Sequence, residues 1–123
     1  MTKKIVKIDN SGLDKAHKIV DVASDKMAAD IVLLDSRGVC SFADYFVMAS
    51  ADSDRQLKAI SEEVVHTLKL DGVQPLHREG KPESGWILID YGDVVVHIFA
   101  EQERELYNLD ELWHEAKPVL RIA

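Results

Sequence analysis

The sequence of 123 residues contains one cysteine, Cys40, and no run of about 18 apolar residues such as a membrane-spanning helix needs. A single cysteine excludes an intrachain disulfide and a thiolate metal cluster within one chain. The N-terminal segment has no long apolar stretch either, so neither a membrane span nor a secretion signal is predicted. These absences together favour a cytoplasmic protein.

Motifs for nucleotide binding and for hydrolysis are also missing. The chain has no Gly-x-Gly-x-x-Gly motif, no P-loop and no Gly-x-Ser-x-Gly elbow, so nucleotide-cofactor and hydrolase functions have no motif to support them. Its five histidines form no His-x-x-x-His pair, the spacing that two zinc ligands on one helix require. The sequence therefore predicts no catalytic residues, no metal site and no cofactor.

The formal net charge of −7 is concentrated in the last third of the chain. Between Glu83 and Ala116, nine acidic residues stand against one basic residue, Arg104, whereas the rest of the chain has 13 acidic and 14 basic residues. This balance argues against direct nucleic-acid binding, because phosphate contacts need clustered Lys and Arg. The acidic third could instead steer a basic protein partner, and a merely solvated face is the alternative.

Hydrophobic patterning predicts one α/β domain with a mixed sheet. Two helices are predicted, one along the stripe Leu13, Ala16, Val20, Ala23 and Met27, and one from a capping box of Ser53 and Gln56 to Asp71 and Gly72. Strands are predicted at 29–35 and 45–49, as a weak edge strand at 74–78, and as a hairpin of 86–90 and 94–99 that turns at Gly92. A third helix is predicted at 101–113, along Leu106, Leu109, Leu112 and Trp113.

Two pairs of residues around the hairpin are candidate functional groups. Asp90 and Asp93 flank the turn, and paired carboxylates can bind magnesium or share acid-base work. We favour turn chemistry for them, because an aspartate in a turn commonly accepts backbone amides. Trp86 and Tyr91 are the residue types that anchor interfaces, although a tryptophan at the start of a strand is more often part of a core.

Five sequence blocks stand in a recognisable order: Asp-Ile-Val-Leu-Leu-Asp at 30–35, Ser-Phe-Ala-Asp-Tyr-Phe-Val at 41–47, Ser-Asp-Arg-Gln at 53–56, Gly-Trp-Ile-Leu-Ile-Asp-Tyr-Gly-Asp-Val-Val-Val-His at 85–97, and Glu-Arg-Glu-Leu-Tyr at 103–107 with Leu-Trp at 112–113. Together they resemble the ribosomal silencing factor family, also called Iojap-like, from about Leu13 to Trp113. The Asp-Tyr-Gly-Asp-Val-Val-Val-His segment is the most specific part.

The resemblance implies a single domain with a mixed five-stranded sheet, flanking helices and a nucleotidyltransferase-like topology. It divides the chain into an N-terminal tail or edge strand at 1–12, the silencing factor domain at 13–117 and a C-terminal tail at 118–123. It further implies a translational repressor that binds the large ribosomal subunit through its protein L-fourteen and blocks association with the small subunit. Catalysis is not implied, and family members tend to form homodimers when free.

Partner binding in the family is associated with the sheet and the C-terminal part of the domain. The resemblance carries this role onto seven residues of this chain: Trp86, Asp90, Tyr91, Asp93, His97, Glu101 and Arg104. Two other functions stay open, a metal-dependent nucleotidyltransferase that uses Asp90 and Asp93 as ligands, and a large-subunit assembly factor. Ala51 stands where family members usually have glycine before the second helix, and this departure argues against a nucleotide-binding corner there.

Overall fold

The computed structural model describes residues 11–39, 41–107 and 116–122 of the chain. Three helices and six strands follow one another in these ranges: α1 (Ser11–Asp25), β1 (Ala29–Asp35), β2 (Tyr45–Ala51), α2 (Asp54–Leu70), β3 (His77–Lys81), β4 (Trp86–Asp90), β5 (Val94–Ala100), α3 (Glu101–Tyr107) and β6 (Lys117–Ile122). A single turn of 3₁₀ helix at Pro82–Ser84 joins β3 to β4. No helix in these ranges is long and apolar enough to cross a membrane.

The strands form one mixed sheet in the order β3-β4-β5-β2-β1-β6. β2 and β5 run parallel, and the connection through α2, β3 and β4 supplies the crossover that parallel pairing needs. Every other neighbouring pair is antiparallel. The predicted mixed α/β domain is thus confirmed. The hairpin is confirmed as well, with Gly92 at a φ of 92° in its turn.

Within the described residues the sheet has six strands, where five were predicted. The additional strand is β6, which pairs with β1 in the segment that was predicted to be a C-terminal tail. Pro118 lacks a backbone N–H, and Lys117 and Arg121 interrupt the apolar run, so the segment carries no clear strand pattern. β6 is an edge strand, the position at which a proline is tolerated.

Helices α1 and α2 cover one face of the sheet. Their apolar stripes and the sheet residues beneath them form the larger core, which includes Ala16, Val20, Leu57, Ile60 and Val64 among its buried members. Met27 was predicted to lie on the α1 stripe, and this prediction is wrong, because the helix ends at Asp25 and Met27 lies in the following turn. There its φ is 66° and its side chain is 79% exposed.

The Ser53–Gln56 capping prediction is half right. The Gln56 amide donates to Ser53 Oγ at 3.1 Å, but the Gln56 side-chain carbonyl accepts from the Asp52 amide rather than from Ser53. Its side-chain amide donates to the carbonyls of Lys26 and Met27, at 3.0 and 2.9 Å. Gln56 therefore ties the start of α2 to the turn that follows α1.

Three other predicted boundaries change or lie outside the described residues. β3 starts three residues later than the predicted strand and extends to Lys81, through a segment that was predicted to be a loop. α1 starts at Ser11, inside the predicted N-terminal tail, and residues 1–10 are not described. Helix α3 is described to Tyr107, so the predicted positions of Leu109, Leu112 and Trp113 lie outside the described residues.

Candidate functional site

The sheet face opposite α1 and α2 carries a group of stacked rings. Because side chains alternate along a strand, Trp86 and Leu88 of β4 lie on the same face as their cross-strand partners Phe99 and His97 of β5. Phe46 of β2, the parallel partner of Val95, completes the group. We call the set Phe46, Trp86, His97 and Phe99 the aromatic face.

The rings of the aromatic face are nearly parallel and offset. The centroids of Trp86 and His97 are 6.0 Å apart with an interplanar angle of 6°, and those of Trp86 and Phe99 are 6.0 Å apart at 1°. Phe46 stacks on His97 at 5.9 Å, and Phe42 meets Phe46 edge-on at 6.0 Å. Such geometries are favourable for aromatic pairs. Phe42 is 66% exposed, so the apolar surface continues to solvent.

His97 is the polar member of this group. Its side chain is buried, and the Trp86 indole Nε1–H donates to its Nδ1 at 3.2 Å. Burial lowers the pKa of His97 to about 4 by penalising the charged form. At neutral pH the ring is therefore uncharged, and because Nδ1 accepts a hydrogen bond, the proton resides on Nε2.

The two turn aspartates each have a partner within the chain. Asp90 Oδ1 accepts the Gly92 amide at 2.7 Å, which is the turn chemistry that was predicted for it. Lys15 of α1 donates to both carboxylate oxygens of Asp93, at 2.9 and 3.2 Å. Both carboxylates thus stabilise the fold around the turn. Within the described ranges, no cluster of three or more His, Cys, Asp or Glu side chains could hold a metal ion.

Arg104 fastens α3 to the sheet. Its Nη1 donates to the carbonyl of Asp30 at 2.6 Å and to Ser50 Oγ at 2.9 Å. Asp30 has a positive φ of 47° and lies where the β1–β2 register shifts. Glu101, in the first turn of the same helix, is exposed. Of the two candidate residues on α3, Arg104 is therefore anchored to the sheet and Glu101 is open to solvent.

This chain is similar to a known family and to solved structures. A family model described as "Ribosomal silencing factor during starvation" matches residues 9–122. The chain belongs to this family. The ribosomal silencing factor of Bacillus subtilis is 45% identical over 92 residues, which are 75% of this chain and 78% of that protein.

Two further relatives extend the comparison. The crystal structure of a Chromobacterium violaceum protein superposes with a TM-score of 0.76 at 31% identity, and the match covers 95% of each chain. A mouse protein named "Mitochondrial assembly of ribosomal large subunit protein 1" is 31% identical over 98 residues, which are 77% of this chain and 43% of that protein. The fold and the family are thus shown by independent comparisons.

The sequence blocks that resemble the silencing factor family lie at the centre of this fold. The block at 85–97 forms the β4–β5 hairpin, and the blocks at 30–35 and 41–47 supply β1 and the start of β2. The block at 53–56 begins α2, where Ser53 caps the helix two residues after Ala51. The most specific block therefore contains both the hairpin turn and His97 of the aromatic face.

The seven residues assigned from the family resemblance fall into two groups. Trp86, Glu101 and Arg104 lie at the α3 end of the hairpin, with His97 beside Trp86 in the middle of β5, and Asp90, Tyr91 and Asp93 lie at its turn. Trp86 and Asp90 stand at the two ends of β4, about 13 Å apart for four residues. Sequence reasoning missed Leu88 and Phe42, which share the face of Trp86 and Phe46. Alternation along β4 could have found Leu88, whereas Phe42 lies in a loop without periodicity.

Tyr91 points into the larger core, where its side chain is 6% exposed. Among the described residues its hydroxyl has no hydrogen-bond partner, and burial raises its pKa to about 12. We expect Tyr91→Phe to leave the free energy of unfolding unchanged or to raise it by about 1 kcal/mol, since the substitution removes an unsatisfied polar group. Urea unfolding measures this. A loss above about 1 kcal/mol would show that the hydroxyl makes a stabilising hydrogen bond.

Proposed function

We propose that this protein is a translational repressor that binds protein L-fourteen of the large ribosomal subunit and blocks association with the small subunit. The observation that carries the proposal is the half-buried Trp86, which lies on the sheet face opposite α1 and α2 and donates a hydrogen bond to His97. A tryptophan held in this way is the kind of residue that dominates binding at protein interfaces. We place the protein in the cytoplasm and expect a homodimer when it is free.

Charge supports a basic partner protein. The excess negative charge of the chain lies between Glu83 and Ala116, the part that contains β4, β5 and α3. A ribosomal protein that contacts RNA is basic, and an acidic surface speeds and orients its encounter with this chain. The same charge disfavours contact with the RNA that surrounds such a protein.

Burial and contacts within the chain together divide the seven proposed interface residues into two roles. Trp86, Asp90 and Glu101 have accessible surface and are proposed to touch the partner. Tyr91 and His97 are buried, and Asp93 is paired with Lys15. Arg104 donates to the Asp30 carbonyl of β1 and to the Ser50 hydroxyl of β2. These four are proposed to hold the surface in shape.

A large-subunit assembly factor is the second candidate function, favoured by the name of the mouse relative. Both functions need contact with the large subunit, so binding alone does not separate them. Depletion of the protein separates them: immature large subunits accumulate if it assists assembly, and mature subunits join unchecked if it represses. A metal-dependent nucleotidyltransferase is disfavoured, because Lys15 engages both oxygens of Asp93.

Substitution of Trp86 tests the proposed surface. We expect Trp86→Ala to weaken co-sedimentation with purified large subunits by about 30-fold, the effect of losing a 2 kcal/mol interface anchor. Leu70→Ala is the control, because it removes a large apolar side chain from another surface, α2, where Leu70 is 74% exposed. Circular dichroism melts check that both variants fold. Equal binding by wild type and Trp86→Ala would exclude this surface.

A subunit-joining assay tests the mechanism. Wild-type protein is added to purified large subunits either before or after the small subunits, and joined ribosomes are counted by sedimentation. Steric blocking predicts inhibition only when the protein is added first. Inhibition in both orders would contradict simple occlusion, and inhibition in neither order would contradict repression.

A further inference from the structure

The Trp86–His97 pair joins an accessible ring to a buried one. An indole can only donate a hydrogen bond, through Nε1–H, so its partner must offer a lone pair. His97 Nδ1 does so at 3.2 Å, and the two ring planes are within 6° of each other. One contact thus fixes both the direction and the tilt of the Trp86 ring.

His97 itself is held from several sides. Phe46 and Phe99 stack against the ring, and Met48 and Leu88 are its neighbours on the adjoining strands. None of these four side chains carries a charge, and burial keeps the imidazole neutral as a lone-pair acceptor. The imidazole is therefore held in a fixed position beneath the surface.

Trp86 is less enclosed. It begins β4 and is half-buried, and its cross-strand neighbour on β3 is the exposed Lys81 of the sheet edge. A large side chain that is ordered only upon binding weakens the complex, because its rotational freedom is lost at that moment. An indole that is already oriented avoids this loss.

We propose that His97 is a positioning residue for docking: it does not touch the partner, but its Nδ1 lone pair holds the Trp86 indole in the orientation that binds. The inference rests on the proposed function, since it concerns the same surface. The positioning role belongs to one atom, Nδ1. A substitution can therefore remove this role and still leave a ring that packs in the core.

Two substitutions separate the acceptor from the ring. His97→Phe keeps a ring for Phe46 and Phe99 to stack on but removes the acceptor. His97→Asn loses the ring but places a carbonyl oxygen near the position of Nδ1, so the indole keeps a partner. A purely structural role predicts that the Phe variant is the more stable and binds at least as well as the Asn variant. Positioning predicts the opposite order for binding: about 10-fold weaker for Phe and within about 3-fold of wild type for Asn.

The hydrogen bond has its own spectroscopic readout. The indole Nε1–H of Trp86 is observed in a ¹⁵N–¹H correlation spectrum and is assigned as the signal that disappears in Trp86→Phe. We expect this signal to move upfield and to exchange faster with water in His97→Phe, and to stay near its wild-type position in His97→Asn. An unchanged signal in His97→Phe would overturn the proposal without reference to the ribosome.

Binding to purified large subunits completes the test. Weaker binding by His97→Phe together with the moved indole signal supports the positioning role. In a Trp86→Phe background, His97→Phe should then weaken binding no further. If Trp86→Ala weakens binding and His97→Phe does not, the positioning role is wrong and the docking surface stands. If neither substitution weakens binding, the docking surface is wrong, and the positioning role falls with it.

Discussion

Lowering the pH from 7 to 5 is expected to reduce the free energy of unfolding by about 2 kcal/mol through His97 alone. Burial lowers the pKa of His97 to about 4 in the folded chain, against an ordinary value of 6.5. Between these values the unfolded chain binds a proton that the folded chain excludes, so acid favours unfolding. The stabilisation is complete above pH 6.5 and is lost progressively as the pH falls towards 4.

Urea unfolding at pH 7 and pH 5 measures this loss, with His97→Phe as the control. The variant lacks the titrating group. Between pH 7 and pH 5 its free energy of unfolding should therefore fall by about 2 kcal/mol less than that of the wild type. Asp35 should not obscure the comparison, because the hydrogen bond from Arg37 lowers the pKa of its carboxyl. Equal pH dependence of wild type and variant would show that protonated His97 is accommodated in the fold.

The sequence predicted the centre of the fold better than its edges. Apolar runs and a glycine turn marked β1, β2 and the β4–β5 hairpin, where burial on both faces leaves little room for polar residues. The two edge strands were shifted or missed. β3 consists of five exposed residues and β6 contains Pro118, so neither shows the alternation that burial of one face imposes.

The candidate site was predictable where its chemistry is local. The contact of Asp90 with the amide two residues ahead follows from turn geometry, and it was expected. The pairing of Asp93 with Lys15 spans 78 positions of the chain, so no local pattern indicates it. The hydrogen bond between Trp86 and His97 depends on the hairpin register and on side-chain rotamers, and both are fixed only by packing.

Gly80→Ala is expected to destabilise the protein by about 3 kcal/mol, more than a glycine-to-alanine change in an open turn would. A Cβ added at Gly80 would overlap the carbonyl oxygen of Trp86 and would lie 3.2 Å from the Cα of Ile87. Both are backbone atoms of β4, so no side-chain rotation relieves the overlap. The φ of 90° adds strain for any residue that carries a Cβ.

Gly72→Ala is the matched control for this prediction. Gly72 has a φ of 80°, close to that of Gly80, but a Cβ there would meet no atom within 4 Å. Its substitution should therefore cost only the conformational strain, about 1 kcal/mol. The difference of about 2 kcal/mol between the two variants in urea unfolding isolates the clash with β4.

The location of Gly80 on an edge strand determines how the clash can be relieved. β3 has β4 as its only neighbour in the described sheet, so the strand could separate from β4 while the other five strands stay paired. Hydrogen exchange distinguishes the two outcomes, because separation exposes only the amides that pair β3 with β4, whereas global destabilisation speeds exchange throughout the core. Equal stability of the Gly80 and Gly72 variants, with the β3–β4 amides still protected, would contradict the close approach of the two backbones.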